Sequence, residues 1–459
     1  MSMADLSNRL RSPSLKARVI RSSALTVGGF GASQVIRLAS NLMLTRLLFP
    51  EAFGLMALVL VIMQGLAMFS DVGVTPAIMQ SKRGDDPDFL NTAWTIQVIR
   101  GFVLWIVACG LAFPMAWVYD QPLLLWVLPV ASLNLIIMGF NPTRLDTAGR
   151  HLMIGRVTLI DIFTQLSGVI VAVALAWWLQ SVWALVISGL VSVTVQLFLF
   201  DRFLPGDRNR FQWEKPAAQE LINFGKWVFL STVCGFLFSQ GDKIILGKFL
   251  PLDLFGIYNI GFFLAAFPLL LGGMITRKIL IPIYRETPPT QSCDNFLRLR
   301  KMRIVVTAAL LLLLACFGAS GVWLVEVLYD PRYQMAGAIV TVIAVAQIPQ
   351  IIGLTYDQAA LAAGDSRRFF GLALARAVMM VSGLLIGFEM AGLMGALIAQ
   401  GVAMVLVYPV VVWLARRMGA WDPLHDAGFA LLGILLGAGA LWINADAIIE
   451  LWQISASTP

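Results

Sequence analysis

Ionisable side chains set inside long apolar runs are the residues of this sequence best placed to do chemistry. Four are basic: Arg37, Arg100, Lys243 and Arg376. A charge at mid-bilayer depth costs at least about 2.5–3.5 kcal/mol on insertion scales, so such groups face protein or water. Ser33, Gln34, Asn41 and Thr45 accompany Arg37 on roughly one helical face, at i±4 spacing. Ser231, Gly235 and Ser239 form a matching stripe with Lys243, and Gln240 lies beside it. An arginine presents a forked donor that fits phosphate oxygens, whereas a lysine offers a point charge. One reading is therefore an anion-binding lining drawn from both halves of the chain. The other is a set of buried ion pairs holding helices in register, such as Arg37 with Asp161 or Lys243 with Asp242.

Acids occupy comparable positions. Asp161, Asp242, Asp357 and Glu389 are candidates for ion or proton coupling, or else partners for those bases. Asp71, beside Gly73, reads as a turn former at a span end. Cys109, Cys234, Cys293 and Cys316 are widely separated, without metal-ligand spacing or a disulfide framework. No metal and no cofactor is expected. His151 and His425 stand alone in the sequence, and no Gly-Lys-Ser/Thr phosphate loop is present. These features argue against an enzyme.

The elements that must position these groups follow from composition. The chain has 459 residues, 59% hydrophobic and 13% charged, with a mean hydropathy of +0.82. Soluble domains are about 25% charged, so an all-α integral membrane protein is expected. The net charge of +7 sits in small basic clusters between apolar runs and points away from nucleic acid. Thirteen candidate spans lie near 22–48, 53–71, 92–117, 122–140, 153–178, 181–203, 220–248, 255–280, 302–328, 335–363, 367–390, 393–415 and 427–444. With the N-terminus cytoplasmic, 26 of the 33 lysines and arginines fall on the cytoplasmic side, as the positive-inside rule requires. Outer loops are a few residues long and leave no room for a soluble domain. Pro114, Pro129, Pro268, Pro349 and Pro409 can kink spans. Trp94, Trp117, Trp126 and Trp183 suit membrane interfaces.

An internal repeat organises the spans. Arg46-Leu-Leu-Phe-Pro-Glu51-Ala-Phe53-Gly54-Leu55 aligns without gaps to Lys248-Phe-Leu-Pro-Leu-Asp253-Leu-Phe255-Gly256-Ile257 at an offset of 202. A weaker echo pairs Leu145–Gly149 with Ala360–Gly364. Both suggest parallel six-helix repeats, an arrangement common in transporters. The expected divisions are a basic N-terminus (1–21), a first lobe (22–203), a linker (204–219), a second lobe (220–415) and a C-terminal extension (416–459) with room for an extra span.

The segment Leu44–Leu55, followed by Phe69-Ser-Asp71-Val-Gly73 and Ala77-Ile-Met-Gln80-Ser-Lys82, resembles the polysaccharide transport family. These are Wzx-like flippases of the multidrug/oligosaccharidyl-lipid/polysaccharide (MOP) superfamily. Asp242-Lys243-Ile-Ile-Leu-Gly247-Lys248 with Phe255-Gly256-Ile257-Tyr258 is similar to the signature of the second half. The resemblance covers roughly 20–415. It implies two six-helix lobes around a central cavity, one or more extra C-terminal helices, and alternating access. The implied cargo is a polyprenyl-diphosphate-linked oligosaccharide crossing the bacterial inner membrane, with polymerase and glycosyltransferases as partners. In that setting Arg37, Lys243, Arg100 and Arg376 would hold the diphosphate. A drug or cation antiporter of the same superfamily would favour acids in its cavity. A membrane glycosyltransferase or polysaccharide polymerase would need larger outer loops.

Overall fold

A computed structural model describes residues 15–70, 73–151, 153–276, 280–362 and 365–457. Residues 1–14 of the basic N-terminus, Asp71, Arg277, Lys278 and the Ala363-Gly364 end of the weaker echo lie outside the described residues, as does the side chain of Ser231. Among the described residues there is no strand. Lipid offers no partner to backbone polar groups, so spans of this composition must satisfy them within helices.

The helices are α1 (Leu15–Leu47), α2 (Pro50–Phe69), α3 (Val74–Gln80), α4 (Pro87–Val118), α5 (Leu124–Ala131), α6 (Leu133–Gly139), α7 (Arg144–Arg150), α8 (Ile154–Leu179), α9 (Trp183–Phe203) and α10 (Lys215–Phe249). They continue with α11 (Leu252–Ala265), α12 (Phe267–Ile275), α13 (Ile281–Glu286), α14 (Cys293–Leu328), α15 (Ala336–Ala346), α16 (Ile348–Gly353), α17 (Asp357–Ala362), α18 (Ser366–Arg417), α19 (Pro423–Ile443) and α20 (Ala445–Ser457). Prolines stand in the first turns of α2, α4 and α19, where the missing N–H costs nothing. Asp86, Ser292, Asp365 and Asp422 cap α4, α14, α18 and α19 by accepting backbone N–H bonds.

Among the described residues, seven helices are long and apolar enough to cross a membrane, or nine with two bent pairs counted as spans. The thirteen expected spans all fall on helical segments, yet several are not single rods. The fourth breaks at Ser132, after Pro129, and turns by 60° into α7. The eighth bends by 43° at Ala266, before Pro268. The tenth is divided into α15, α16 and α17, with Pro349 in the first turn of α16. Spans eleven and twelve form one helical run, α18, broken by non-helical Ala391 and Gly392. Gly392 has φ +56°, a conformation only glycine adopts without strain. The extension adds the membrane-length α19 and the shorter α20.

The chain divides into two compact units, residues 1–49 with 59–232, and residues 50–58 with 233–459. In the first, α4 and α6 approach closely through glycines. A Cβ on Gly101 would meet the Leu135 carbonyl, and one on Gly139 the Gln97 carbonyl, at 2.7 and 2.9 Å. Small residues at helix crossings are how membrane helices gain packing contact. The segment 205–214 is strapped along the start of α4. Arg210, Gln212 and Glu214 donate backbone N–H bonds to Asn91, Thr95 and Thr92 at 3.0–3.1 Å.

In the second unit the two Phe-Gly repeats meet. A Cβ on Gly54 would collide with the Leu252 carbonyl oxygen and lie 3.2 Å from the Gly256 nitrogen. A Cβ on Gly256 would collide with the Pro50 carbonyl oxygen and lie 3.2 Å from the Gly54 nitrogen. The contact is reciprocal under the same 202-residue offset, as at an isologous interface.

Candidate functional site

Each expected site residue sits on a helix, but the partners differ from group to group. Arg37 is on an exposed stretch of α1. Beside it, the Ser33 carbonyl accepts from Gln165 Nε2 on α8 at 3.1 Å, and Gln34 is half-buried. Asn41 Oδ1 is buried and without a hydrogen-bond donor. Asp161, exposed on α8, accepts from Gln196 Nε2 at 3.1 Å.

Arg100 on α4 donates through Nε to Ser70 Oγ at 2.9 Å and through Nη2 to the Ala67 carbonyl at 2.5 Å. It lines a cavity of about 240 Å³ inside the first unit, together with Thr75, Gln97, Asn141 and Asp146. Asp146 was not among the sequence candidates. It is 8% exposed and reaches the cavity because α7 turns away from α6.

The second unit gathers two acid–base pairs along α10. Lys243 Nζ lies 3.2 Å from Asp242 Oδ2 and 3.9 Å from the centre of the Phe262 ring. Asp242, 5% exposed, also accepts from Tyr258 Oη at 2.5 Å. Arg376 on α18 grips Asp357 on α17 with both terminal nitrogens, each bond 2.7 Å. Its guanidinium stands 5.7 Å from the Phe238 ring of α10. Phe238 and Asp242 are four residues apart and share a helix face, so both pairs flank one stretch of α10. Ser239 on that stretch bonds back to the Phe236 carbonyl at 3.3 Å, Gln240 is half-buried, and Glu389 on α18 is exposed. Lys243 and Arg376 thus each have an acid of their own, and these two pairs are charge-neutral.

Neither histidine is isolated, contrary to expectation. His151 Nε2 lies 2.9 Å from Asp85 Oδ1. His425, 3% exposed, places Nδ1 2.8 Å from Asp426 Oδ1 and Nε2 3.1 Å from Thr307 Oγ1. Asp426 accepts from Tyr356 Oη at 2.7 Å and Tyr408 Oη at 2.6 Å. Arg303, 1% exposed, donates to Tyr284 Oη at 2.6 Å and to the Ala420 carbonyl, with its guanidinium 4.4 Å from the Tyr356 ring. Arg300 closes the group on Asp422 at 2.8 Å. Tyrosine is scarce, seven residues in the whole chain, and three of them converge here. That scarcity was the available signal.

A further acid–base group ties the strap of the first unit. Arg83 bridges Asp86 and Glu214 at 2.6 and 2.7 Å, and the guanidinium holds the Asp86 carboxyl below its usual range. No group of three or more metal-ligating side chains occurs among the described residues.

A family model described as "Polysaccharide biosynthesis protein" matches residues 43–335. The Erwinia amylovora amylovoran biosynthesis protein AmsL is 20% identical over 256 residues, 54% of this chain and 65% of the relative. The Rhizobium meliloti succinoglycan biosynthesis transport protein ExoT is 24% identical over 222 residues, 47% of this chain and 43% of the relative. The Escherichia coli lipopolysaccharide biosynthesis protein WzxC is 20% identical over 380 residues, covering 80% and 76%. The chain thus spans less than two thirds of the length of the first two relatives. Among solved structures, the lipid II flippase MurJ superposes with a TM-score of 0.70 at 11% identity, covering 95% of this chain and 98% of that one. An inward-facing multidrug resistance MATE transporter of the MOP superfamily superposes with a TM-score of 0.63 at 14% identity, covering 84% and 95%. The fold of this chain is the one those transporters share.

Proposed function

Because this chain belongs to the polysaccharide biosynthesis protein family and has the MOP fold, we propose that it is a flippase for a lipid-linked oligosaccharide. It is a multi-pass membrane protein. In this reading it sits in the bacterial inner membrane with its N-terminus cytoplasmic, and alternating access carries a polyprenyl-diphosphate-linked glycan from the inner to the outer leaflet. It performs no bond chemistry. Glycosyltransferases that build the glycan act before it and a polymerase that extends the glycan acts after it.

At the level of residues the reading is supported by Arg376, which spends its forked donor on a planar carboxylate. A carboxylate and a phosphate present the same pair of oxygens to a guanidinium. Asp357 thus occupies the position a cargo phosphate would take, and Asp242 does the same for Lys243. The bases are kept neutralised until a diphosphate, carrying more charge than one carboxylate, displaces the acid. In the first unit, Arg37 and Arg100 are the candidate cargo bases. The pairs leave no surplus positive charge around α10, so the preference for an anionic cargo over a drug or metal cation rests on family membership.

Reconstitution in liposomes tests this. A short-chain polyprenyl-diphosphate oligosaccharide is incorporated, and its arrival in the opposite leaflet is read with an impermeant glycan-modifying enzyme. Vesicles holding the protein should convert the protected half of the substrate, and empty vesicles should not. Equal protection in both sinks the flippase reading. Export of a cationic dye by the same vesicles, with no glycan movement, would establish the antiporter instead.

A further inference from the structure

We propose that the cytoplasmic-side end of α18 is a binding site for the headgroup of an anionic phospholipid, distinct from the cargo path. A groove of about 580 Å³ opens there, walled by Tyr408, Trp413, Arg416, Arg417 and Trp421. Arg416 and Arg417 fall in the last turn of α18. Arg416 stands 3.9 Å from the centre of the Trp421 ring, and neither arginine has an acidic partner among the described residues. The nearby acids are already engaged: Asp422 with Arg300, and Asp426 with Tyr356, Tyr408 and His425. The groove therefore carries two uncompensated guanidinium forks and no carboxylate in its wall.

The occupant is argued from the rest of the helix. Val402, Val405, Leu406, Pro409, Trp413, Arg416 and Arg417 recur at three- and four-residue spacing, on one stripe of α18. All are exposed, Trp413 at 47%, Val405 at 56% and Leu406 at 58%. The stripe runs from bare aliphatic surface through an aromatic ring to paired guanidinium groups. That order matches a phospholipid lying along the helix, with acyl chain, glycerol level and phosphate in turn. Tryptophan belongs at the headgroup level, and basic pockets at helix ends recognise anionic lipid headgroups. A soluble anion would satisfy the arginines but leave the aliphatic stripe unexplained. Tyr408 bonds Asp426 at 2.6 Å, which ties the wall of the groove to the buried cluster that anchors α19.

Native mass spectrometry of the full chain, delipidated in detergent and then titrated, tests the site. The probes are phosphatidylglycerol and phosphatidylcholine of equal chain length. The wild-type protein should retain phosphatidylglycerol selectively. Arg416→Gln/Arg417→Gln should retain about thirtyfold less, at roughly fivefold for each basic residue near an anionic surface. Arg298→Gln/Lys301→Gln, which removes two exposed bases of the same unit outside the groove, should match wild type. If the double variant is unstable, Arg417→Gln alone carries the test, since its guanidinium makes no hydrogen bond or ion pair with described residues; it should lose about fivefold. Three outcomes overturn the proposal: equal retention of phosphatidylcholine, an equal loss in the control variant, or no loss in the groove variants. Stripping of the lipid by excess inorganic phosphate would show a free-anion site and overturn it too.

Discussion

Asp357→Asn removes one charge from the Arg376 pair and leaves the guanidinium in place. The side chains are 9% and 11% exposed, and both bonds are 2.7 Å. Arg376 Nε already lacks a partner, so nothing nearby stands ready to take up the released charge. Removing one member of a buried pair costs about 3–5 kcal/mol, a large share of a total stability of about 5–15 kcal/mol. For a body of about 150–250 residues, each kcal/mol moves the midpoint by about 2–4 °C, which gives a fall of about 6–20 °C. Thermal unfolding in detergent and membrane immunoblots read this. The double variant Asp357→Asn/Arg376→Gln should recover most of the loss, because neither charge is then stranded. A fall of under about 2 °C for Asp357→Asn would refute the buried-pair reasoning. Transport by a recovered double variant then separates two roles: a stable protein that no longer moves the lipid-linked glycan assigns Arg376 to the cargo, whereas full transport makes the pair a scaffold.

Gly256→Ala should destabilise by about 1–3 kcal/mol, the usual cost of overpacking, because its Cβ meets the Pro50 carbonyl oxygen; Gly235→Ala, with open space around it, should be neutral or mildly stabilising in the same melt. Ser455→Ala removes two bonds, one to the Ala391 carbonyl at 2.8 Å and one from the Met394 amide at 2.9 Å. Stranding those groups should cost about 1–3 kcal/mol and speed hydrogen exchange at Met394. The strap over α4 should hold from neutral pH down to about pH 5: Asp86, which shares Arg83 with Glu214 of the strap, has a depressed pKa, so its contribution is present above the unfolded value of about 3.9 and is lost only as pH falls below that. Exchange protection at the Gln212 and Glu214 amides measures it, and loss of protection already at pH 6 would contradict the sign.

Spans were legible because apolar length alone decides them. The break at Ala391–Gly392 was legible too, since it falls between the two runs assigned to 367–390 and 393–415. Bends inside spans were less so, because a proline marks where a helix can yield and not by how much, as the 43° turn at Ala266 beside Pro268 illustrates. At the site, Asp242 and Lys243 are adjacent in sequence and their pairing could be foreseen. Arg376 and Asp357 were both picked out but not joined, since 19 residues and a change of helix separate them. The His425 cluster was missed for a related reason. Its acid is the next residue, but the groups that bury it come from 118 and 70 positions away, at Thr307 and Tyr356. Long-range convergence leaves no local pattern.

The Ser455 bonds also impose an order on assembly. The turn that joins the two arms of α18 presents its Ala391 carbonyl and Met394 amide well before the hydroxyl that satisfies them has been made. Ser455 is 64 residues downstream of Ala391, and a ribosome adding about 5–20 residues per second reaches it about 3–13 s later. During that interval the nascent hairpin must keep its tip in water or against another donor. The turn is therefore a late-closing seam, open to the insertion machinery until α20 arrives.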